Sequence, residues 1–151
     1  MRVLNADELK LEKDSIIESI IDGAVFVYPT DTIYGIGCNA QLSKSVKKIR
    51  QLKARTSNPF SVIAPSVDWI KENCVVDEEA WEWIDKLPGP YTLILKLNNS
   101  KCITKEVNPR LQTLGIRIPN HWISNLVAEA EVPVVTTSVN KSNEDYMTSL
   151  E

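Results

Sequence analysis

A short apolar run near the N-terminus ends abruptly in polar residues. Residues 24–28 read Ala-Val-Phe-Val-Tyr, and residues 29–35 then supply a proline, two threonines, an acid and a glycine. Apolar runs of this length, bounded by turn residues, are typical of buried strands. In open α/β sheets, ligands bind in the crevice beyond the strand ends. The run therefore predicts a buried strand that delivers polar side chains to a ligand site at the edge of a sheet.

Strand-like and helix-like segments alternate along the chain. Strands are predicted at 24–28, 61–64, 91–97, 113–118 and 132–137. Helical spacing predicts helices at 14–21, 43–52, 77–87 and 120–130, and a short one after residue 66. This alternation favours one α/β domain over residues 1–151. The hairpin-like stretch 91–118 favours a twisted mixed sheet, with helices flanking it, over a wholly parallel one.

Particular residues mark the expected helix ends and core. Ser43 and Asn120 are predicted N-caps, and Gly23 is a predicted helix stop. Trp69 and Trp81 are expected in the core rather than on a surface that stacks bases.

Composition limits the class of protein. With 43% apolar and 25% charged residues, the 151-residue chain can bury one sizeable core. No apolar run is long enough to span a bilayer and the N-terminus lacks a signal-peptide pattern, so a cytoplasmic location is expected. Cys38, Cys74 and Cys102 are odd in number and widely spaced. They predict three buried thiols in a reducing compartment, rather than a disulfide framework or a zinc site.

Charge falls in two blocks of opposite sign. The net charge of -3 argues against a general nucleic-acid binder. Residues 44–55 are strongly basic, and residues 68–85 are strongly acidic. Lys44, Lys47 and Lys48 are predicted on a solvated helix face, which can also steer an anionic ligand or an RNA toward the crevice.

A set of donors remains once common catalytic arrangements are set aside. No glycine-rich phosphate loop and no pair of carboxylates for hydrolysis occurs, and no metal site is predicted. The single histidine, His121, is expected to position or pack at the start of a helix. The donors are Thr30, Thr32, Lys53, Arg55, Arg117, Ser138, Asn140 and Ser142. Such a set suits phosphoryl or nucleotidyl transfer, in which positioning and charge neutralisation dominate.

The expected positions of Lys53, Arg55 and Arg117 support a site of this kind. Lys53 and Arg55 are expected past the end of the helix at 43–52, exposed to solvent and available to phosphate. Arg117 lies between Ile116 and Ile118 in a predicted strand, so its side chain leaves the apolar face. Either a salt bridge at the edge of the sheet or a ligand would satisfy Arg117.

Six stretches in chain order resemble the motifs of the YrdC family, the threonylcarbamoyl-AMP synthases of the TsaC type. The resemblance runs from about residue 14 to the end of the chain. The stretches are 28–40 (Tyr-Pro-Thr-Asp-Thr-Ile-Tyr-Gly-Ile-Gly-Cys-Asn-Ala), Lys53-x-Arg55, 59–63 (Pro-Phe-Ser-Val-Ile), 88–92 (Pro-Gly-Pro-Tyr-Thr), 115–121 (Gly-Ile-Arg-Ile-Pro-Asn-His) and 138–142 (Ser-Val-Asn-Lys-Ser).

The resemblance implies a twisted α/β sheet with a concave, electropositive groove. It also implies a reaction in which L-threonine, bicarbonate and ATP, with the Mg²⁺ that ATP carries, give threonylcarbamoyl-AMP and pyrophosphate. A TsaD/Kae-type transferase would then pass the threonylcarbamoyl group to tRNA. No membrane partner is implied.

The family's site residues carry over to positions in this sequence. Lys53 and Arg55 would bind and neutralise the triphosphate and act in catalysis. Arg117 would lie near the phosphates. Ser138, Asn140 and Ser142 would hold the nucleotide. The threonine and adenylate pocket would be shaped by Thr30, Thr32 and Tyr34.

The chain departs from the family pattern in several places. Thr56 replaces the proline that usually follows the Lys-x-Arg motif, and Asn143 replaces a usual glycine. Family members generally continue for several tens of residues, so we expect this chain to lack the usual C-terminal part and the segment 141–151 to pack poorly. Two other readings stay open: a catalytically weak module that binds RNA or a partner, and a carbamoyl-AMP-forming relative like the domain in hydrogenase maturation proteins.

Overall fold

The computed structural model describes residues 1–54, 58–110 and 112–140. The strands are β1 (Phe26–Tyr28), β2 (Gly35–Gly37), β3 (Ser61–Ile63), β4 (Leu93–Lys96), β5 (Thr113–Arg117) and β6 (Val134–Ser138). They form one sheet in the order β1-β2-β6-β3-β5-β4. Strands β3 and β5 are parallel, and the other neighbouring pairs are antiparallel. The predicted α/β fold with a mixed sheet is confirmed.

Helices flank this sheet on both sides. They are α1 (Ala6–Leu11), α2 (Lys13–Asp22), α3 (Ser43–Lys53), α4 (Val67–Asn73), α5 (Glu78–Ile84) and α6 (Ile123–Ala130). Asn5, Ser66 and Asp77 cap α1, α4 and α5, because each side chain accepts a hydrogen bond from the backbone N–H three residues on. Gly23 ends α2 at φ 106°, a left-handed conformation that favours glycine.

One face of the sheet, the closed face, is buried under α3, α4 and α5. A row of apolar side chains crosses four neighbouring strands in register on this face. It comprises Val135, Val62, Ile116 and Leu93, and we call it the closed row. All four residues are buried. The helix residues in the same core include Val46, Ile49, Ile70 and Ile84.

The opposite face is divided into two halves. Helices α2 and α6 cover one half, where they pack on Tyr28, Ile63 and Val134. On the other half, a second row lies directly behind the closed row. It comprises Thr136, Ser61, Gly115 and Ile94, and we call it the open row. Its residues are small or polar except Ile94, which is 75% exposed. This half presents a surface suited to a ligand rather than to a helix.

The structure differs from the sequence-based expectations in its short elements. Strand β2 and helix α1 were not predicted. Strand β2 has the sequence Gly-Ile-Gly, which carries little strand propensity, and its pairing with β1 and β6 makes it a strand. The polar stretch 98–109, predicted as a loop, contains two short 3-10 turns, Ser100–Cys102 and Lys105–Val107.

Two of the predicted N-caps were wrong. Helix α3 already begins at Ser43, and α6 begins at Ile123 with no side-chain cap. The backbone N–H of Asn120 instead donates to Asp31.

The core prediction was right for the cysteines and partly wrong for the tryptophans. Cys38, Cys74 and Cys102 are buried free thiols, and burial raises the pKa of Cys38 to about 12. Trp69 packs against the core. Trp81 is on the surface, because α5 buries Ala80 and Ile84 instead, and the Lys71 ammonium lies 4.2 Å from its ring centroid.

Some predictions fall on residues that are not described. Arg55, Ser142 and the segment 141–151 lie outside the described ranges, so the expectation of poor packing there stays a prediction. Within the described ranges, no helix combines the length and apolarity needed to cross a bilayer.

Candidate functional site

The loop after β1 is organised by Thr30. Its hydroxyl donates to the carbonyl of Ile33 at 2.7 Å and accepts from the backbone N–H of Thr32 at 3.1 Å. The two threonine hydroxyls lie 3.1 Å apart. Hydroxyls that bond to nearby backbone in this way stabilise turns. Thr30 therefore shapes the loop, and the Thr32 hydroxyl is held next to it.

Arg117 and Asp31 form an ion pair beside this loop. Nη2 of Arg117 lies 3.0 Å from Oδ1 of Asp31, and the two side chains are only 15% and 14% exposed. Arg117 leaves the apolar face of β5 as predicted, because its neighbour Ile116 occupies the closed row. The salt bridge was one of the two alternatives that the sequence left open for this residue.

The structure contradicts two properties that the sequence predicted for Lys53. It is the last residue of α3 rather than a residue past the helix, and it is only 4% exposed rather than accessible. Its ammonium donates to the carbonyl of Ser138 at 2.6 Å, and it lies 3.3 Å from both the Ser138 hydroxyl and the Asn140 side-chain oxygen. The Ser138 hydroxyl also bonds to that Asn140 oxygen.

Lys53 is buried because the C-terminal end of α3 lies against the end of β6. Helix α3 packs on the closed face through Val46 and Ile49. That packing brings its C-terminus to the end of β6, where the Lys53 side chain is covered. Three predicted site residues, Lys53, Ser138 and Asn140, are thereby brought into one hydrogen-bonded cluster.

A cavity of about 190 Å³ connects the loop after β1 to the end of β6. Its lining residues are Thr30, Thr32, Ile33, Tyr34, Gly35, Ser61, Thr92, Arg117, Thr136, Thr137 and Ser138. Ser138 belongs both to this lining and to the Lys53 cluster, so the two parts of the site are contiguous. The lining is rich in hydroxyls, and Arg117 is its one charged side chain among the described residues. Its volume lies below the several hundred Å³ typical of pockets for drug-sized ligands, so the cavity suits a small polar molecule.

Sequence reasoning missed part of this lining. Ser61, Thr92 and Thr136 each adjoin the cavity, and none was singled out. A signal was present, because Ser61 and Thr136 each neighbour a strongly apolar residue in a predicted strand. Alternation places such hydroxyls on the face opposite the core.

Glycine at position 115 makes room for one of these hydroxyls. A Cβ there would lie 2.5 Å from the Ser61 hydroxyl oxygen. The absence of a side chain thus leaves space for Ser61 on the floor of the cavity.

The environment shifts the pKa values of Tyr28 and His121 in the direction that favours their neutral forms. Burial raises the pKa of Tyr28, whose ring lies under Gly35 and Gly37. Burial also lowers the pKa of His121, although the charge of Asp31 opposes this shift. The ring of His121 lies 4.9 Å from that of Trp122, which agrees with the expected packing role.

A larger concavity of about 360 Å³ lies elsewhere, between the 98–108 segment and the start of β5. Among the described residues, its lining includes none of the predicted site residues. We place the candidate site at the smaller cavity, because that cavity adjoins the loop after β1 and the Lys53 cluster.

The Sua5/YciO/YrdC family model, described as telomere recombination, matches residues 18–151. The chain belongs to this family. Human threonylcarbamoyl-AMP synthase is 36% identical over 124 residues, which are 81% of this chain and 44% of the human protein. A putative threonylcarbamoyl-AMP synthase of Methanocaldococcus jannaschii is 34% identical over an alignment of 152 positions, which covers 98% of this chain and 70% of that protein. The chain therefore spans less than half of the human relative's length.

Solved structures agree with the family assignment. Pyrococcus abyssi Sua5 complexed with L-threonine superimposes with a TM-score of 0.80 at 28% identity, over 98% of this chain and 43% of that one. Full-length HypF in a phosphate- and nucleotide-bound form gives a TM-score of 0.80 at 26% identity, over 91% of this chain and 22% of that one. The six-strand sheet and its flanking helices are thus the fold of this family.

Proposed function

We propose that this chain is a nucleotidyltransferase that makes threonylcarbamoyl-AMP and pyrophosphate from L-threonine, bicarbonate and ATP. The observation that carries the proposal is the contiguity of a small hydroxyl-lined cavity with the Lys53 cluster, in a chain of this family. The cavity has the size for an amino acid. We propose that a nucleotide extends from this cavity toward the cluster, because Ser138 belongs to both.

Relatives support both the threonine part and the nucleotide part of this proposal. A Sua5 protein of this fold has been crystallised with L-threonine, and HypF has been crystallised with phosphate and nucleotide. The human relative, at 36% identity, is named as a threonylcarbamoyl-AMP synthase, and the Methanocaldococcus jannaschii relative, at 34%, is named as a putative one. We extend these ligands to the present chain as a proposal.

The chemistry requires charge neutralisation rather than a protein nucleophile. The carbamate of threonine attacks the α-phosphorus, pyrophosphate leaves, and negative charge builds on the phosphate oxygens. Lys53, with Arg55 beyond the described residues, would stabilise that charge. Mg²⁺ would arrive with ATP as part of the substrate. The described donors suit that arrangement, since Asp31, an acid beside the cavity, is already bound to Arg117.

The wider partners follow from the same proposal. The product is a reactive mixed anhydride, so a second enzyme must take its threonylcarbamoyl group to a stable acceptor. We propose a TsaD/Kae-type transferase acting on tRNA in the cytoplasm. An electropositive groove that receives the triphosphate is part of the same proposal.

Omission of substrates tests the proposed function. We expect pyrophosphate release from ATP to require both L-threonine and bicarbonate, and threonylcarbamoyl-AMP to appear by mass spectrometry in equal amount. Replacing L-threonine with L-alanine provides a matched substrate control. Equal release without threonine would show a plain ATPase. Release that depends on a carbamoyl donor supplied in place of threonine and bicarbonate would favour the carbamoyl-AMP-forming alternative, and no release would favour the binding module.

A further inference from the structure

The ion pair between Asp31 and Arg117 is largely buried from solvent. Their charged groups lie 3.0 Å apart, and about six-sevenths of each side chain is buried. Removing two charges from water is unfavourable, and apolar residues of similar volume often stabilise a fold as well as such a pair does. An ion pair in the lining of a cavity therefore points to a role beyond stability.

Both oxygens of Asp31 bind the same short segment of chain. Oδ1 accepts from Nη2 of Arg117, and Oδ2 accepts from the backbone N–H of Asn120 at 3.4 Å. Asp31 itself lies in the turn that Thr30 organises. Its carboxylate therefore ties the loop after β1 to the end of β5, two segments 86 residues apart.

The orientation of the Arg117 guanidinium depends on its contact with Asp31. Among the described residues, Asp31 supplies its hydrogen-bonding partner, and its buried Nε has none. An arginine in a dense polar network would keep its orientation after losing one contact. Here Arg117 makes no second hydrogen bond with the described residues that would hold the guanidinium in place.

The position of Arg117 indicates what it is held for. It is the charged side chain in the described lining of the cavity, amid hydroxyls from Thr30, Thr32 and Ser61. A guanidinium fork matches the two oxygens of a carboxylate in geometry and charge. Because Asp31 binds Nη2 and Nε is buried, Nη1 is the part of the guanidinium left for a ligand.

We propose that Asp31 is a positioning residue, which orients Arg117 toward the carboxylate of the small substrate in this cavity. The inference rests on the proposed function and assigns a role to an acid that the reaction does not otherwise use. Asp31 touches no reacting atom. It acts through Arg117. It fixes the position of the guanidinium and determines which edge of the guanidinium meets the substrate.

The test compares Michaelis constants in an isosteric variant. Asp31→Asn keeps the shape of the side chain and removes its charge. We expect the KM for L-threonine to rise by roughly 10–100-fold, the effect of losing a charge-assisted hydrogen bond, with the KM for ATP changed less than about twofold. Asp31→Glu restores the carboxylate and should recover part of the affinity. Asp22→Asn, an exposed change of the same kind, is the matched control and should match the wild type.

A double-mutant cycle shows whether Asp31 acts through Arg117. If it does, Asp31→Asn combined with Arg117→Lys should be no worse than Arg117→Lys alone. Thermal melting of each variant separates misplacement of Arg117 from loss of the fold. Calorimetric titration with L-threonine repeats the cycle without turnover.

The outcomes separate this inference from the proposed function. A wild-type chain that neither turns over nor binds L-threonine would refute both. Turnover with additive losses in the cycle, or a rise in the KM for ATP instead of L-threonine, would overturn the role of Asp31 and leave the proposed function standing.

Discussion

The closed row and the open row lie back to back on the same four strands, yet they differ in what they face. The closed row is wholly apolar and buried under three helices. The open row is mostly small and polar, and two of its residues line the cavity. Because successive residues of a strand point to opposite faces, each strand contributes to both rows. One face of the sheet thus supplies the core while the other leaves room for a ligand.

The comparison extends to the charged residues at the border of the open half. Arg117 follows Ile116 of the closed row by one residue and pairs in register with Ile63, which α6 covers. Its side chain therefore stands where the covered half meets the open half. Burial there permits a close ion pair, and the adjoining cavity gives the pair access to a ligand.

A large effect on stability is expected from the closed row. Ile116→Ala should lower the free energy of unfolding by about 2–5 kcal/mol, because it leaves a cavity in a dense core. Specific activity of the folded fraction should change little. Ser61→Ala in the open row should alter stability by less than about 1 kcal/mol, with a weaker affinity for L-threonine. Urea denaturation and steady-state kinetics measure both, and equal stability losses in the two variants would break the comparison.

Lys53 tests the boundary between the two faces. It belongs to a helix of the closed face, but its ammonium reaches the end of β6 beside the cavity. Lys53→Ala should lower turnover about 10²–10³-fold, as for the loss of one preorganised donor. Stability should also fall by roughly 1–3 kcal/mol, since the Ser138 carbonyl loses its donor.

Lys48→Ala, an exposed change on the same helix, is the control for Lys53 and should behave as wild type. A Lys53→Ala protein with wild-type melting would show that the buried contact carries no stability. Normal turnover would remove Lys53 from the site.

The smallest effect is expected from His121. Burial lowers its pKa in the folded state below the ordinary 6.5, so the folded protein binds fewer protons than the unfolded chain as the pH falls through that value. Its contribution to stability is therefore present above pH 6.5 and is lost progressively below it. NMR titration should show the low pKa, and Asp31→Asn should lower it further by removing a nearby negative charge. A pKa above 6.5 would contradict this account.

Local sequence determined much of the fold. The apolar runs predicted five of the six described strands, and alternation in β5 predicted that the Arg117 side chain leaves the apolar face. The polar residues after β1 and β6 predicted where a site would form, and ordered motifs predicted the family. These features depend on neighbours along the chain, so a pattern of residue types is enough to reveal them.

Tertiary structure alone decided the remaining features. Gly35–Gly37 became a strand only because β1 and β6 flank it, and Lys53 became buried only because α3 docks at the end of β6. The pairing of Asp31 with Arg117 joins segments that are distant in sequence. Each of these outcomes depends on contacts between elements whose separation along the chain carries no local signal, so the packing of the sheet against its helices had to bring them together.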